Sequence, residues 1–151
     1  MSETLLKLTL EVNSVKAVAP EEVISFKREG VQQAVFDRLC SGGYKVASEV
    51  DLHQLKLELA REALFQSIEQ ARQLGQRSIL VIHGKGSRSK PIPALMKSFV
   101  ATWLVEIDAV LAYHSAQIHH GGNGAAYVML TKSEQKRVET REENHKGAHQ
   151  R

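Results

Sequence analysis

One cysteine, Cys40, stands in a chain of 151 residues. Without a second thiol there is no internal disulfide and no multi-cysteine zinc site, and Cys40 reads as a half-buried helix residue. No apolar run approaches the roughly 18 residues that a membrane-spanning helix needs. The start of the chain also lacks the basic, then apolar, pattern of a signal peptide. These absences predict a soluble cytoplasmic protein with no membrane partner. Acidic residues are missing from one long stretch. None falls between residues 70 and 105, whereas Arg72, Arg77, Lys85, Arg88, Lys90 and Lys97 all do. The net charge is only +3, so the asymmetry lies in the distribution. An isolated basic run is usually a solvated face. Here the bases converge on a glycine loop, which favours a polyanionic ligand.

What is present suffices for one domain with tails, since 42% of the residues are hydrophobic. Residues 1–24 read as a flexible arm, although Leu6, Leu8, Leu10 and Val12 alternate with polar residues. Residues 25–46 form a lead-in unit. Val31, Ala34, Val35 and Leu39 recur at helical spacing, predicting a helix over 25–40 that Gly42-Gly43 stops. The compact domain spans 47–132. It opens with a strand at 47–53, followed by a helix striped by Leu57, Ala60, Leu64, Ile68, Ala71 and Leu74 and ended by Gly75. A second strand covers 78–83. Pro91 suits the first turn of a second helix, running to about 105, with Leu95, Phe99 and Trp103 inward. Strands at 109–114 and 125–131 complete the order β-α-β-α-β-β. Crossover helices make the first three strands parallel, and the short last connection lets the fourth run antiparallel. The expected architecture is therefore an α/β two-layer sandwich, with a four-stranded mixed sheet and both helices on one face. Residues 133–151 form a charged, fraying tail.

The chemistry concentrates at two strand ends. Ile79-Leu80-Val81-Ile82 is a continuous apolar run, as in a buried parallel strand, and it leads into His83-Gly84-Lys85-Gly86. Val50-Asp51-Leu52-His53 ends the other strand. Open α/β sheets bind ligands beyond the carboxyl ends of their strands. Asp51 and His53 are two apart and share a face. With His83 on the neighbouring strand, all three are expected to converge, with Lys85 beside them. A carboxylate beside an imidazole fixes its tautomer and raises its basicity, so a histidine there can move protons in phosphodiester cleavage. Lys85 would neutralise a phosphate oxygen, and Gly84 and Gly86 would let backbone N–H groups approach it. Arg88 and Lys90 extend the basic edge. Taken alone, His-Gly-Lys-Gly is a weak motif, and a satisfied structural histidine is the commoner explanation. His114, His119 and His120 invite a zinc reading, but adjacent histidines on a loop are poorly organised ligands, so a polar rim with no metal is favoured.

The joint pattern is more specific. Val50-Asp51-Leu52-His53, an amphipathic helix, Ile82 to Gly86, and Gly121-Gly122-Asn123-Gly124-Ala125 before a last strand resemble the Smr (small MutS-related) domain. The lead-in Phe26-Lys27-Arg28-Glu29-Gly30-Val31-Gln32 resembles stand-alone bacterial Smr proteins, so the similarity covers about 25–132. The resemblance implies a fold like the C-terminal domain of translation initiation factor three. It also implies nucleic-acid binding and, as in several Smr proteins, endonuclease activity on DNA or RNA. It marks Asp51, His53 and His83 as catalytic. Gly84, Lys85, Gly86, Arg88, Lys90, Gly121, Gly122 and Gly124 fall to nucleic-acid contact. Two positions depart from the family pattern. Gln54 stands where glycine is usual, and Lys56 where a helix-capping hydroxyl residue commonly follows. The cofactor stays open, a divalent cation such as Mg being compatible. The expected partners are nucleic acid and, as a further candidate, the ribosome, met by a monomer. A non-catalytic binder and a docking module remain alternatives to the nuclease.

Overall fold

In the computed structural model, which describes residues 3–132, a five-stranded mixed sheet carries helices on both faces. The chain begins with a short helix, α1 (Glu3–Lys7), and reaches strand β1 (Ser25–Lys27) and helix α2 (Gln33–Cys40). Strand β2 (Ser48–Asp51), helix α3 (Leu57–Gln73), strand β3 (Ser78–Ile82), helix α4 (Leu95–Glu106), strand β4 (Val110–Ser115) and strand β5 (Ala125–Leu130) follow. The spatial order is β1-β4-β5-β3-β2. β2 and β3 pair in parallel, and β5 runs antiparallel to both β3 and β4. β2, β3 and β4 therefore share one direction, as the crossover argument requires. The tail at 133–151 lies outside the described residues.

Three sequence expectations need correction. The sheet has five strands because the expected helix over 25–40 is two elements. Ser25–Lys27 pairs antiparallel with β4, with Phe26 opposite Tyr113, and the helix proper starts at Gln33. Three residues are too few to show a strand period. The open edge of β4 nevertheless needs a partner for its backbone groups, and the 25–27 segment supplies one. The second correction concerns α4, which starts at Leu95 rather than near Pro91. Pro93 disfavours helical backbone at the preceding Ile92. The Ala94 N–H turns back to donate to the Gly86 carbonyl at 2.8 Å, closing the loop before the helix begins.

The third correction concerns residues 3–24, which lie packed on the domain rather than as a free arm. Leu5, Leu8 and Ile24 are buried in the main core. The Trp103 indole N–H donates to the Thr9 carbonyl (2.7 Å), and the Arg61 guanidinium donates to that of Leu8 (3.1 Å). Their contacts come from α3, α4 and β4, far along the chain, so local composition gives no sign of them.

As expected, α3 and α4 cover one face. Ala60, Leu64 and Ile68 of α3 meet Phe99, Trp103 and Leu104 of α4 over Ile79, Val81 and Val128. Each large side chain so buried contributes about 1.5–3 kcal/mol. Leu74, at the end of the expected stripe, is exposed because α3 stops one residue earlier. α2 lies on the other face, where Leu39 packs with Leu80, Ala112 and Tyr127. Lys56 is the N-cap of α3 and forms no side-chain cap hydrogen bond, as expected of a residue without a short hydroxyl.

Candidate functional site

The shared direction of β2, β3 and β4 brings their carboxyl ends to one edge, which carries both sequence motifs and the loop into β5. The β2–β3 ladder continues one step past the strands, the Leu52 N–H donating to the Ile82 carbonyl at 2.7 Å. Leu52 is fully buried in the core beneath α3 and α4. By strand alternation Asp51 and His53 project to the opposite side, and both are exposed. The Asp51 carboxylate accepts two hydrogen bonds from the same histidine through one oxygen, Oδ1. One comes from His53 Nδ1 at 2.5 Å and one from the His53 backbone N–H at 3.1 Å. The side-chain bond to His53, aided by the backbone bond, holds the Asp51 carboxyl below its ordinary value. The pair fixes the tautomer in which Nδ1 carries the proton and Nε2 is an outward acceptor.

His83 does not join this pair. It follows β3 in phase with Ile79 and Val81, toward the α4 side, and only 2% of it is exposed. Nδ1 lies 2.7 Å from the Gly84 carbonyl, and the buried Nε2 has no hydrogen-bond partner. Burial pushes its pKa down to about 4, with the Lys97 charge acting in the same direction and the Gly84 carbonyl opposing in part. The three groups thus share an edge but not a face. The expected convergence holds for Asp51 and His53 and fails for His83, because alternation from Val81 carries His83 beneath the loop.

The His-Gly-Lys-Gly loop is fixed by its glycines and by β5. The His83 and Gly84 N–H groups both donate to the Gly124 carbonyl, at 3.0 and 2.8 Å. Gly84 has φ +76°, and a Cβ there would lie 3.0 Å from the His53 Cβ, so glycine lets the loop lie directly against His53. Gly86 has φ +68°, and a Cβ there would meet the Ser89 hydroxyl at 2.5 Å and Ala94 at 3.0 Å. Gly121, Gly122 and Gly124 form the tight turns before β5, and Gly124 packs on Gly84 and Lys85.

The basic stretch divides in two. Lys85, Arg88 and Lys90 are exposed on the loop. Lys97, by contrast, is fully buried and donates to the Pro20 and Glu22 carbonyls. Arg77 donates to the Leu130 carbonyl and Arg72 pairs with Glu69. These three serve the fold. Lys85 is also engaged, its Nζ lying 3.1 Å from Glu21. Sequence reasoning missed Glu21 and Asn123. Asn123 sits inside the second glycine motif, where its neighbours were singled out, but Glu21 lies far upstream and carries no spacing signal.

Among the described residues, the histidines outside the motifs are His114, His119 and His120. His114 Nδ1 meets the Ser25 hydroxyl (2.9 Å) and His120 Nδ1 meets the Tyr127 hydroxyl (2.5 Å), while His119 is exposed beside His120. Among the described residues no three His, Cys, Asp or Glu side chains are grouped to hold a metal ion. At this edge the exposed Asp51 carboxylate is the side chain that a divalent cation such as Mg would meet, with a substrate phosphate completing its shell. No helix of the described residues is long and apolar enough to cross a membrane.

Residues 50–131, spanning both motifs and the strands that carry them, match the family model of the Smr domain. The chain belongs to the Smr family. Over 123 residues it is 42% identical to a protein named "Probable DNA endonuclease SmrA" from Escherichia coli (strain K12), covering 82% of this chain and 66% of that one. Over 108 residues it is 29% identical to the protein named "Ribosome rescue factor SmrB" from Aliivibrio salmonicida, covering 72% of this chain and 58% of the relative. This Smr chain thus spans less than two-thirds of either relative's length. Its fold is similar to the crystal structure of YdaL, a stand-alone small MutS-related protein from Escherichia coli. The TM-score is 0.71 at 40% identity, over 86% of this chain and all of that one. The Smr domain of Thermus thermophilus MutS2 is similar over 56% of this chain and 99% of that one, with TM-score 0.50 and 28% identity.

Proposed function

We propose that this Smr protein binds nucleic acid in the cytoplasm, as a monomer, and acts as an endonuclease on phosphodiester bonds of DNA or RNA. The observation that carries the reading is the exposed Asp51–His53 pair, at 2.5 Å, packed against a glycine loop bearing Lys85, Arg88 and Lys90. In the proposed reaction, His53 Nε2 takes a proton from the attacking oxygen, that of a water or a ribose 2′-hydroxyl. The new phosphorus–oxygen bond forms as the bond to the leaving oxygen breaks. The leaving oxygen then takes a proton from the imidazolium, returning His53 to its neutral form. Asp51 holds the imidazole in the productive tautomer and stabilises its charged form. Lys85 neutralises a non-bridging phosphate oxygen as charge develops. His83, buried and bonded to the loop carbonyl, is assigned as a positioning residue. The name borne by the relative at 42% identity supports DNA cleavage, and that of the SmrB relative supports a substrate on or near the ribosome.

The test is cleavage of structured and single-stranded RNA and DNA by the purified protein, with and without a chelator. Cutting of at least one of these substrates is expected, and the chelator arm reports whether a divalent cation takes part. No cutting on any of these substrates would leave the non-catalytic binding module as the better reading. Binding has its own check. Changing Lys85, Arg88 and Lys90 together to Ala should weaken affinity for unrelated sequences about equally. The slope of log affinity against log salt should become shallower by about two to three, since each lost phosphate contact releases about one counterion fewer. An unchanged slope would place the phosphate contacts elsewhere.

A further inference from the structure

The loop lysine that would receive a phosphate is already occupied by a carboxylate, and the occupant is held in place from three sides. Lys85 Nζ lies 3.1 Å from the Glu21 carboxylate. The Asn123 side-chain amide, from the second glycine motif, donates to the Glu21 backbone carbonyl at 2.9 Å. On either side of Glu21, the buried Lys97 ammonium donates to the Pro20 and Glu22 carbonyls. Lys97 is fully enclosed, so this anchor is rigid and cannot itself serve a ligand. Glu21 also has its carboxyl held below the ordinary value, first by the Lys85 bond and further by Asn123. It is therefore an anion across the neutral range.

We infer that Glu21 is a built-in stand-in for a phosphate group, occupying a subsite on Lys85 that a nucleic-acid phosphodiester must take from it. The inference rests on the nucleic-acid reading above and adds a competitor residue to it. A tethered carboxylate raises the threshold for any single phosphate. A polyanion that also engages Arg88 and Lys90 overcomes it, so the site discriminates in favour of polymers over free mononucleotides or inorganic phosphate. Displacing the Glu21 side chain leaves its backbone in place, because Asn123 holds the Glu21 carbonyl and Lys97 holds those of Pro20 and Glu22.

Two titrations of the full chain, each with wild type, Glu21→Gln, Lys85→Ala and the double variant, test this. In the first, inorganic phosphate is added at constant ionic strength and followed through the backbone amide resonances of Gly84 and Gly86. In the second, a fluorescein-labelled stem–loop RNA and its DNA counterpart are titrated by anisotropy across a salt series. Glu21→Gln should bind phosphate about two- to fivefold more tightly than wild type, the range an exposed ion pair supplies. It should show a similar gain for the oligonucleotides, with a salt slope steeper by up to about one, because Lys85 then neutralises a phosphate, and releases its counterion, without leaving a freed carboxylate beside it. Both gains should vanish in the Lys85→Ala background. Equal phosphate affinity in Glu21→Gln and wild type would overturn the inference. A gain that persists without Lys85 would also overturn it, showing a general charge effect. A phosphate gain with no oligonucleotide binding by any variant would uphold the subsite and reject the nucleic-acid reading.

Discussion

Changing Asp51 and His53 together to Ala should abolish phosphodiester cleavage while leaving nucleic-acid affinity close to that of the parent chain. A positioned general acid–base group typically contributes about a hundredfold or more, so the loss is expected to exceed that factor. Stability should change little, because both side chains are exposed at the sheet edge and Leu52 between them carries the packing. The single variants separate the two roles. Asp51→Ala leaves an imidazole with no fixed tautomer, so it should lower kcat more than it raises KM. His53→Ala removes the proton acceptor itself. Cleavage at parental rates in the double variant would move the chemistry away from this pair. The buried His83 is a poor replacement, since its Nδ1 is committed to the Gly84 carbonyl.

Acid should destabilise this protein through His83 before it titrates most of its carboxylates. The unfolded imidazole has the ordinary value of 6.5, and the folded one is pushed down to about 4 by burial. Between those two values the unfolded chain binds the proton more readily than the folded chain, so stability falls as the pH falls. The contribution is fully present above the unfolded value and lost by the time the pH reaches the folded one. Its size is about 3 kcal/mol, a large share of the roughly 5–15 kcal/mol that holds a domain folded. Denaturant unfolding of the parent chain and of His83→Gln, measured from pH 7 to pH 4, isolates the effect. At pH 7 the variant should be less stable by about 1–3 kcal/mol, since the Gly84 carbonyl loses a buried partner or gains a poorer one. That difference should shrink steadily toward pH 4 and then vanish or reverse. A constant difference across the window would mean that the folded imidazole titrates at its ordinary value and is not held neutral by burial.

Much of the architecture was legible because its causes are local. The stripe of Ala60, Leu64 and Ile68, the Gly75 stop and the apolar run at 79–82 each follow from side-chain period and backbone freedom within one element. The same holds for Asp51 and His53. Two residues apart on a strand, they share a face wherever that strand is placed. The glycines at 84 and 86 were legible as a loop, and the motifs around them sufficed for the family.

The remainder depended on partners far away in the chain. Nothing near 25–27 announces a strand, and only the open edge of β4 makes one. Counting charges put Lys97 with the loop bases, whereas α4 turns it inward to meet the carbonyls of Pro20 and Glu22. His83 looked like a third member of the Asp51–His53 site, since all three stand at strand ends. Its neighbours across the sheet and from α4 instead bury it and keep it neutral. Glu21 reaches Lys85 only because that anchored segment passes over the glycine loops. The chain by itself therefore determined which residues stand at the edge of the sheet. Tertiary structure alone decided which face each occupies, which are withdrawn from water and which are already paired, because desolvation and pairing depend on atoms that the sequence holds far apart.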